Sequence, residues 1–273
     1  MHAHMVARPI YAEPMSSQIL WAAGRYESLS EQIASIATQT VAAADRRHQL
    51  REATVVDLAC GTGSATLAAA DLGAQVTGVD LTPELIVIGA RKALATGHPV
   101  SWVTADAADT GLPGDSADAI LSNMGIIFVE PERQVAEITR LLKSDGVLSF
   151  SSWVRSDSNP LFDPVVAVLG APPASTFTPD QWGDPEIIDA RLTPHFSDIE
   201  IENANLTWTF TSMPAALHFL ASESPTHVSI FGRADESQRE QLLEAFEAAL
   251  RPHLSDDGIA FDSPYAVVSA IRR

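Results

Sequence analysis

Residues 55–63, Val-Val-Asp-Leu-Ala-Cys-Gly-Thr-Gly, decide the fold of this chain. A β-branched run ends on Asp57, turns through small residues and enters the alanine-rich residues 64–72. This order predicts a strand, a tight glycine turn and a helix whose free N–H groups and positive dipole end face the turn. Because Gly61 and Gly63 lack Cβ atoms, a ligand can approach the backbone closely. The stretch predicts a ligand site at the carboxyl edge of an α/β sheet.

Two common nucleotide motifs do not fit this turn. A dinucleotide fingerprint needs a small residue at the sixth position from Gly61, where this chain has Thr66. A P-loop needs Gly-Lys-Ser/Thr, and no lysine stands near the turn. Residues 57–63 resemble motif I of class I S-adenosylmethionine-dependent methyltransferases, an acidic residue followed by x-G-x-G-x-G. Ala59 replaces the first glycine, so the backbone there has less room.

Three further signals follow in the family's order, and the resemblance covers roughly residues 50–153. A second strand ends on Asp80, about 20 residues beyond the turn, the distance at which an acid reaches the ribose of a nucleotide. Residues 103–107 resemble the loop after the third strand, which flanks the adenine in this family. Residues 117–125 resemble the fourth strand and its turn. The chain is most similar to the ubiquinone- and menaquinone-biosynthesis-type small-molecule methyltransferases.

The resemblance implies S-adenosylmethionine as the cofactor and a role for each motif residue. Asp80 is expected to bind the ribose, Asp57 to hold the turn and lie near the methionine end, and Asn123 to contact the methionine moiety. Asp106 is expected to meet the adenine amino group and Ala107 to approach the ring by its backbone. Asp106 as a turn cap and Asn123 as a plain turn residue stay open as alternatives. The predicted cofactor site comprises Asp57, Ala59, Cys60, Gly61, Thr62, Gly63, Asp80, Leu81, Asp106, Ala107 and Asn123.

Composition limits the partners of this chain of 273 residues. A formal net charge of −18 disfavours nucleic acid and anionic lipid, because both are polyanions. No signal peptide or membrane-spanning run is recognisable, and a single cysteine cannot form an intramolecular disulfide. We therefore expect a reduced, cytoplasmic protein in which Cys60 is packed rather than nucleophilic. Histidine spacing indicates no metal site, and the oligomeric state stays open.

The order of predicted elements indicates a Rossmann-like α/β fold. Strands and helices alternate up to Trp153, which predicts a doubly wound, mostly parallel sheet with helices on both faces. The resemblance adds that the sheet has seven strands and that the last is antiparallel. We predict one methyltransferase domain over residues 1–273. Its parts are an N-terminal helical cover (1–48), a cofactor-binding core (50–153), lid insertions (154–197 and 211–257) and a terminal strand (258–273).

Several local signals give narrower predictions. Residues 1–15 are expected to be a tail, and residues 16–24 a short helix. Ser28 to Glu31 fits a capping box that precedes a second helix. Residues 224–227 are interpreted as a lid loop, and the terminal strand is expected to be interrupted at residues 262–264.

The sequence does not select a catalytic residue. His195, His218 and His227 lie in the half expected to face the acceptor, but spacing distinguishes none of them as a general base. Apolar lid residues favour a small, apolar or aromatic acceptor, although they can equally pack among themselves. These residues are Leu161, Phe162, Phe177, Trp182, Phe219 and Phe231.

Two other functions were weighed against methyl transfer. A non-catalytic S-adenosylmethionine-binding or regulatory subunit would keep motif I and Asp80 but have a blocked acceptor cavity. A nicotinamide oxidoreductase is disfavoured by Thr66 and by the absence of a Tyr-x-x-x-Lys motif.

Overall fold

The computed structural model describes residues 19–172 and 175–273, so the predicted tail (1–15), with His2 and His4, lies outside the described residues. The strands are β1 Thr54–Leu58, β2 Gln75–Asp80, β3 Ser101–Thr104, β4 Ala117–Asn123, β5 Leu142–Trp153, β6 Phe196–Phe210, β7 Leu254–Ser255 and β8 Gly258–Arg272. The α-helices are α1 Tyr26–Gln32, α2 Ala34–Arg47, α3 Ser64–Asp71, α4 Pro83–Thr96, α5 Pro131–Leu141, α6 Asp163–Leu169, α7 Pro185–Leu192, α8 Met213–His218, α9 Pro225–Arg233 and α10 Glu236–Leu250.

The strands form one sheet, in the order β3-β2-β1-β4-β5-β8-β6, and the two-residue β7 pairs with β8. The first five strands run parallel to their neighbours, whereas β8 is antiparallel to β5. This architecture confirms the predicted Rossmann-like fold with an antiparallel last strand. From β1 to β3 successive strands are added on one side of β1, and β4 and β5 are added on its other side. Open α/β sheets bind their ligands at this switch point, between β1 and β4.

The chain divides into two compact units. The larger unit comprises residues 26–156, 177–208 and 262–273, and it holds every predicted cofactor residue. The smaller unit comprises residues 1–25, 157–176 and 209–261. The predicted lid insertion 154–197 is therefore shared between the units. The single-domain description stays a prediction.

Small apolar side chains form a core cluster beside β1 and β4. Alanines and valines of α2 and α3 pack there with Val55, Leu121 and Val147, all of which are fully buried. This packing holds the start of α3 against the end of β1. The glycine turn between them is thus fixed at the carboxyl edge of the sheet.

Four local predictions were wrong. Residues 21–24 form a turn instead of the end of a helix, and Ser28 to Glu31 lie inside α1, which already begins at Tyr26. Residues 225–227 open helix α9, with Ser224 as its N-cap, because Pro225 occupies the first helical position, where proline is favoured. β8 runs without interruption through residues 262–264. Pro264 is tolerated there since its carbonyl still accepts a hydrogen bond from Val154 N–H, at 3.0 Å.

Candidate functional site

The glycine turn adopts backbone conformations that glycine favours. Gly61 and Gly63 have φ of 57° and 85°, and Gly63 is the N-cap of α3 with no side-chain cap for the helix. A Cβ atom at Gly61 would lie 2.3 Å from the hydroxyl oxygen of Tyr26. Ala59 has φ of 51°, a conformation that is strained for alanine. The missing Cβ at Gly61 therefore leaves the room that the Tyr26 ring occupies.

Asp80 ties the end of β2 to the glycine turn. Its Oδ2 accepts a hydrogen bond from Gly61 N–H, and its Oδ1 accepts one from Thr82 N–H, both at 2.8 Å. Burial raises the pKa of the Asp80 carboxyl, although these two N–H groups oppose the rise. Leu81 follows and exposes 69% of its surface. A bidentate acid beside an exposed apolar residue suits a ribose and the base attached to it.

Asp57 is fully buried at the end of β1, and only one of its oxygens is satisfied. Oδ2 accepts a hydrogen bond from Thr66 Oγ1 at 2.6 Å, whereas Oδ1 has no partner among the described residues. Burial, assisted by the nearby Asp80, raises the pKa of Asp57 to about 7, while the Thr66 hydrogen bonds oppose the shift. Unsatisfied buried carboxylates are unfavourable, so this oxygen is the feature of the turn that most needs a ligand.

Helix α1 contacts the glycine turn, and the N-terminal cover as a whole stays a prediction. Ser30 Oγ lies 2.9 Å from Ser64 Oγ and accepts a hydrogen bond from Thr62 Oγ1 at 3.5 Å. Tyr26 reaches the turn from the same helix, and its pKa is raised by burial and by the charges of Asp80, Cys60 and Asp57. Tyr26 therefore lies among the predicted cofactor residues.

Cys60 behaves as a packed thiol. Burial raises its pKa well above the usual value, and the charges of Asp57 and Asp80 raise it further. The thiolate form that a nucleophile needs is thus disfavoured. The sulfur atom would lie only 3.1 Å from a Cβ at Gly78 on the neighbouring strand, so Cys60 fills the space beneath the turn.

Trp102 on β3 supports the turn from the side of the second strand. Its ring would lie 2.6 Å from a Cβ at Gly63, 2.8 Å from one at Gly78 and 2.5 Å from one at Gly89. Three glycines from separate elements thus make room for a single indole. The ring fixes the distance between the cofactor turn and the strand that carries Asp80.

The turn after β4 is also held by buried hydrogen bonds. Ser151 Oγ donates to Asn123 Oδ1 at 2.9 Å and accepts from Met124 N–H at 3.0 Å. Ser122 Oγ donates to Leu58 O at 2.7 Å, which links this turn to the end of β1. Met124 has φ of 56°, a strained conformation that the two serines stabilise. Asn123 lies at the end of β4, so its side chain is fixed at the carboxyl edge by Ser151.

The loop after β3 supports the alternative in which its acid caps a turn. Asp106 Oδ1 accepts from Ala108 N–H at 2.9 Å, so the side chain does cap a turn. Its Oδ2 forms an exposed ion pair with Arg133 at 3.2 Å. Ala107 is buried, and its carbonyl accepts from Gln134 Nε2 at 3.1 Å. The adenine contacts of these two residues stay a prediction.

The charge of the site suits a cationic ligand. Asp57 and Asp80 form no ion pair with any Lys, Arg or His of the described residues. A dinucleotide would place its anionic pyrophosphate beside these two acids. S-adenosylmethionine brings a sulfonium and an ammonium group, so its charge fits these two acids better than a pyrophosphate does.

None of the candidate histidines lies in the glycine site. His227, in the smaller unit, is buried, with Nδ1 2.7 Å from Ser224 Oγ and Nε2 2.7 Å from Leu161 O. Because a carbonyl only accepts, Nε2 carries the proton and Nδ1 accepts from Ser224. Burial lowers the pKa of His227 to about 4. His195 is exposed, and His218 lies 3.8 Å from Glu223.

Sequence reasoning missed several contributors to the site. Thr66 was weighed only as a mismatch to the dinucleotide motif, yet its hydroxyl holds Asp57. Ser122, Ser151 and Trp102 act through contacts between distant parts of the chain, which no local pattern reveals.

The doubly wound sheet with its antiparallel last strand and the acidic glycine turn at the switch point agree with the resemblance to class I S-adenosylmethionine-dependent methyltransferases. Residues 56–150 match the family described as "Methyltransferase domain". The chain is thus an enzyme of this class, and S-adenosylmethionine is its cofactor.

Similar proteins agree with this assignment. The uncharacterized protein Rv1403c of Mycobacterium tuberculosis is 28% identical over 196 residues, 69% of each chain. The demethylmenaquinone methyltransferase of Clavibacter sepedonicus is 38% identical over 93 residues, 34% of this chain and 38% of that protein. Among solved structures, the chain is similar to a Haemonchus contortus phosphoethanolamine N-methyltransferase 2 in complex with S-adenosylhomocysteine, with a TM-score of 0.54 and 18% identity. The match covers 85% of this chain and 52% of that protein's chain. The latter shows the fold alone.

Two searches of the described residues were negative. They contain no helix long and apolar enough to cross a membrane. Nor do they contain a group of three or more His, Cys, Asp or Glu side chains placed to hold a metal ion.

Proposed function

We propose that this chain methylates a small, apolar or aromatic acceptor, and that the glycine turn and its acids hold the cofactor. Asp80 would bind the ribose hydroxyls, Asp57 the methionine end, and the Asn123 amide a polar group of the methionine moiety. Leu81, Asp106 and Ala107 would surround the adenine. Ala59, Cys60, Gly61, Thr62 and Gly63 would supply backbone contacts.

The unpaired Oδ1 of Asp57 carries this assignment. It is a buried acceptor at the end of β1, in a group of acids without a basic partner. A cationic ligand is the chemistry that stabilises such an oxygen. Its position at the end of β1 supports a ligand at the switch point of the sheet.

The protein's own task in the transfer is positioning. The sulfonium supplies an activated methyl group, so the chain must align the acceptor atom with the methyl carbon and sulfur. Such positioning can account for about 7–11 kcal/mol of the barrier. An acceptor that reacts as a phenolate or an enol-like carbon would need no general base, because proximity and alignment alone can drive its transfer.

An apolar acceptor is supported by the chain's composition and by one relative. The smaller unit buries Leu161, Phe219 and Phe231, and the larger unit holds a half-buried Phe177. The Clavibacter sepedonicus relative is named for demethylmenaquinone. The net charge of −18 argues against nucleic acid as the acceptor and fits a cytoplasmic enzyme.

Calorimetric titration tests the cofactor site directly. The purified protein is expected to bind S-adenosylmethionine and S-adenosylhomocysteine with micromolar affinity and not to bind NAD. Binding of NAD, or of neither sulfur ligand, would contradict the assignment. An acceptor screen for S-adenosylhomocysteine release would then separate a catalyst from a subunit that only binds the cofactor.

Asp80→Ala tests the ribose contact. The variant is expected to weaken S-adenosylmethionine binding by about 1–3 kcal/mol, the range for lost hydrogen bonds to a charged group. Asp256→Ala, which removes an exposed acid of the smaller unit, is the matched control and should leave the affinity unchanged. Unchanged affinity in Asp80→Ala would rule out the ribose assignment.

A further inference from the structure

Arg191 is a cation without a carboxylate partner in a strongly acidic chain. The sequence has 35 Asp and Glu against 17 Lys and Arg, and Arg191 differs from other arginines without an ion pair because one of its guanidinium nitrogens is buried without an acceptor. Within the described residues, no carboxylate lies within 4.0 Å of its guanidinium. Glu130 is the carboxylate that acts on it electrostatically, but Glu130 accepts from Glu132 N–H and Arg133 N–H as the N-cap of α5.

The guanidinium rests on an indole and leaves a buried donor unused. Its Cζ lies 4.6 Å from the ring centroid of Trp182, and its Nη2 donates to Gln181 Oε1 at 2.7 Å. Arg191 Nη1 is buried without an acceptor, and so is Trp182 Nε1. Trp182 has no exposed surface. Two unsatisfied N–H donors beside each other, one of them charged, are unfavourable unless an acceptor joins them.

The site lies at the same edge of the sheet as the glycine turn. Trp182 belongs to the short helix 179–183, which contacts the end of β5 and the turn 126–128. That turn follows Asn123, at the end of β4. Because β1, β4 and β5 are parallel, their carboxyl ends meet at one edge. Arg191 is linked to this edge through its contacts with Trp182 and Gln181 of the short helix.

We propose that Arg191, supported by Trp182, binds an anionic group of the methyl acceptor, such as a carboxylate or another planar oxyanion. This inference rests on the proposed function, since it places the acceptor beside the cofactor site. Guanidinium groups bind planar oxyanions by paired hydrogen bonds, and a partly buried position strengthens them. Arg191 is half-buried, so its side chain lies at the boundary between this interior and the solvent.

The unpaired state of the guanidinium agrees with this role. Burial lowers the pKa of Arg191, and the charge of Glu130 only partly opposes the shift. The negative charge of an anionic ligand would stabilise the charged guanidinium and offset the effect of burial on its pKa. A purely structural arginine on an aromatic ring gains nothing from an added anion, so the two roles give different results on titration.

Benzoate and its uncharged analogue benzamide are suitable probes. The thermal midpoint of the full chain is measured against each probe, with and without saturating S-adenosylhomocysteine. Benzoate is expected to raise the midpoint, and benzamide is not. In Arg191→Gln the apparent benzoate affinity should fall at least tenfold, and Arg251→Gln, which removes an exposed arginine paired with Glu247, should behave as the wild type.

Equal responses to both probes in the wild type, or a benzoate response that survives Arg191→Gln, would overturn the proposal. If Arg191→Gln does not fold, Arg191→Lys is the second variant. Lysine keeps the positive charge but lacks the planar guanidinium that forms paired hydrogen bonds, so a smaller benzoate-induced rise of the thermal midpoint is expected. Trp182→Phe keeps an aromatic ring but removes the indole N–H, and it should also weaken the benzoate response. If S-adenosylhomocysteine does not bind, the proposed cofactor site is contradicted. The comparison of benzoate with benzamide in the absence of S-adenosylhomocysteine still tests anion binding by Arg191.

Discussion

Asp57 and His227 are both buried titratable side chains, one in each compact unit, but their surroundings differ. His227 has a partner for each ring nitrogen, Ser224 and the Leu161 carbonyl. Asp57 has one satisfied oxygen and one without a partner among the described residues. A satisfied buried group contributes to stability, whereas an unsatisfied one lowers stability and is retained where a ligand completes it. The comparison indicates a packing role for His227 and supports the proposed cofactor contact of Asp57.

His227→Ala should produce the largest change in stability. The substitution leaves Ser224 Oγ and Leu161 O without their partner and opens a cavity beside Phe246, whose ring centroid lies 5.6 Å from the imidazole. We expect a loss of about 3–4 kcal/mol in the free energy of unfolding, measured with urea. S-adenosylmethionine affinity should not change.

His218→Ala is the matched control, because His218 is exposed at the neighbouring helix α8. Its effect on unfolding should stay within about 0.5 kcal/mol. If His227→Ala instead folded normally and abolished methyl transfer, His227 would be a catalytic base and the comparison with Asp57 would fail.

The two groups should give opposite dependences of stability on pH. The His227 pKa is about 4 when folded and near 6.5 when unfolded, so its contribution is lost as the pH falls from 6.5 to 4. The Asp57 pKa is about 7 when folded and near 3.8 when unfolded, so folding becomes less favourable as the pH rises from 3.8 to 7. Each effect amounts to about 3–4 kcal/mol across its window.

Variants separate the two slopes, which partly cancel in the wild type. Unfolding free energies at pH 4.5, 5.5 and 6.5 are compared for the wild type, His227→Gln and Asp57→Asn. Relative to the wild type, His227→Gln should lose stability with rising pH, and Asp57→Asn should gain it. Parallel curves for all three proteins would show that neither residue titrates as described.

Asp57→Asn should weaken S-adenosylmethionine binding and raise the free energy of unfolding. At pH 8 the variant avoids an unfavourable buried charge of about 4 kcal/mol, offset by about 2 kcal/mol for the amide's own unpaired group. We expect a net gain of about 2 kcal/mol in the ligand-free protein and at least tenfold weaker S-adenosylmethionine binding, by calorimetry.

Asp118→Asn is the opposite control. Asp118 accepts from Thr54 N–H and Lys143 Nζ, and these contacts hold its pKa below the usual value although burial opposes them. Its replacement should therefore destabilise the protein at pH 8 and leave the cofactor affinity intact. A destabilised Asp57→Asn with normal affinity would place Asp57 in the same structural class as Asp118.

The sequence predicted the turn and the edge of the site because both depend on local patterns. The run into Asp57, the two glycines and the distance to Asp80 are set by neighbours along the chain. The contacts of Thr66, Ser151, Trp102 and Arg191 join residues that only the fold brings together. Ser224 and His227 look like part of a polar loop in sequence, yet Pro225 starts a helix that buries them.

The strained backbone at Ala59 gives the smallest expected effect, and it sharpens the contrast between a binding turn and a packed core. Alanine at φ of 51° costs about 1–2 kcal/mol, and glycine at that position costs about 0.4–1 kcal/mol through the unfolded chain. Ala59→Gly should therefore stabilise the protein by about 0.5 kcal/mol in urea unfolding and leave cofactor affinity unchanged. Gly125→Ala is the opposite test, because its Cβ would lie 2.5 Å from the Ala59 carbonyl oxygen and force the two turns apart. Destabilisation by Ala59→Gly would mean that the alanine methyl group is needed for packing. The turn would then tolerate fewer substitutions at residue 59 than its strained φ indicates.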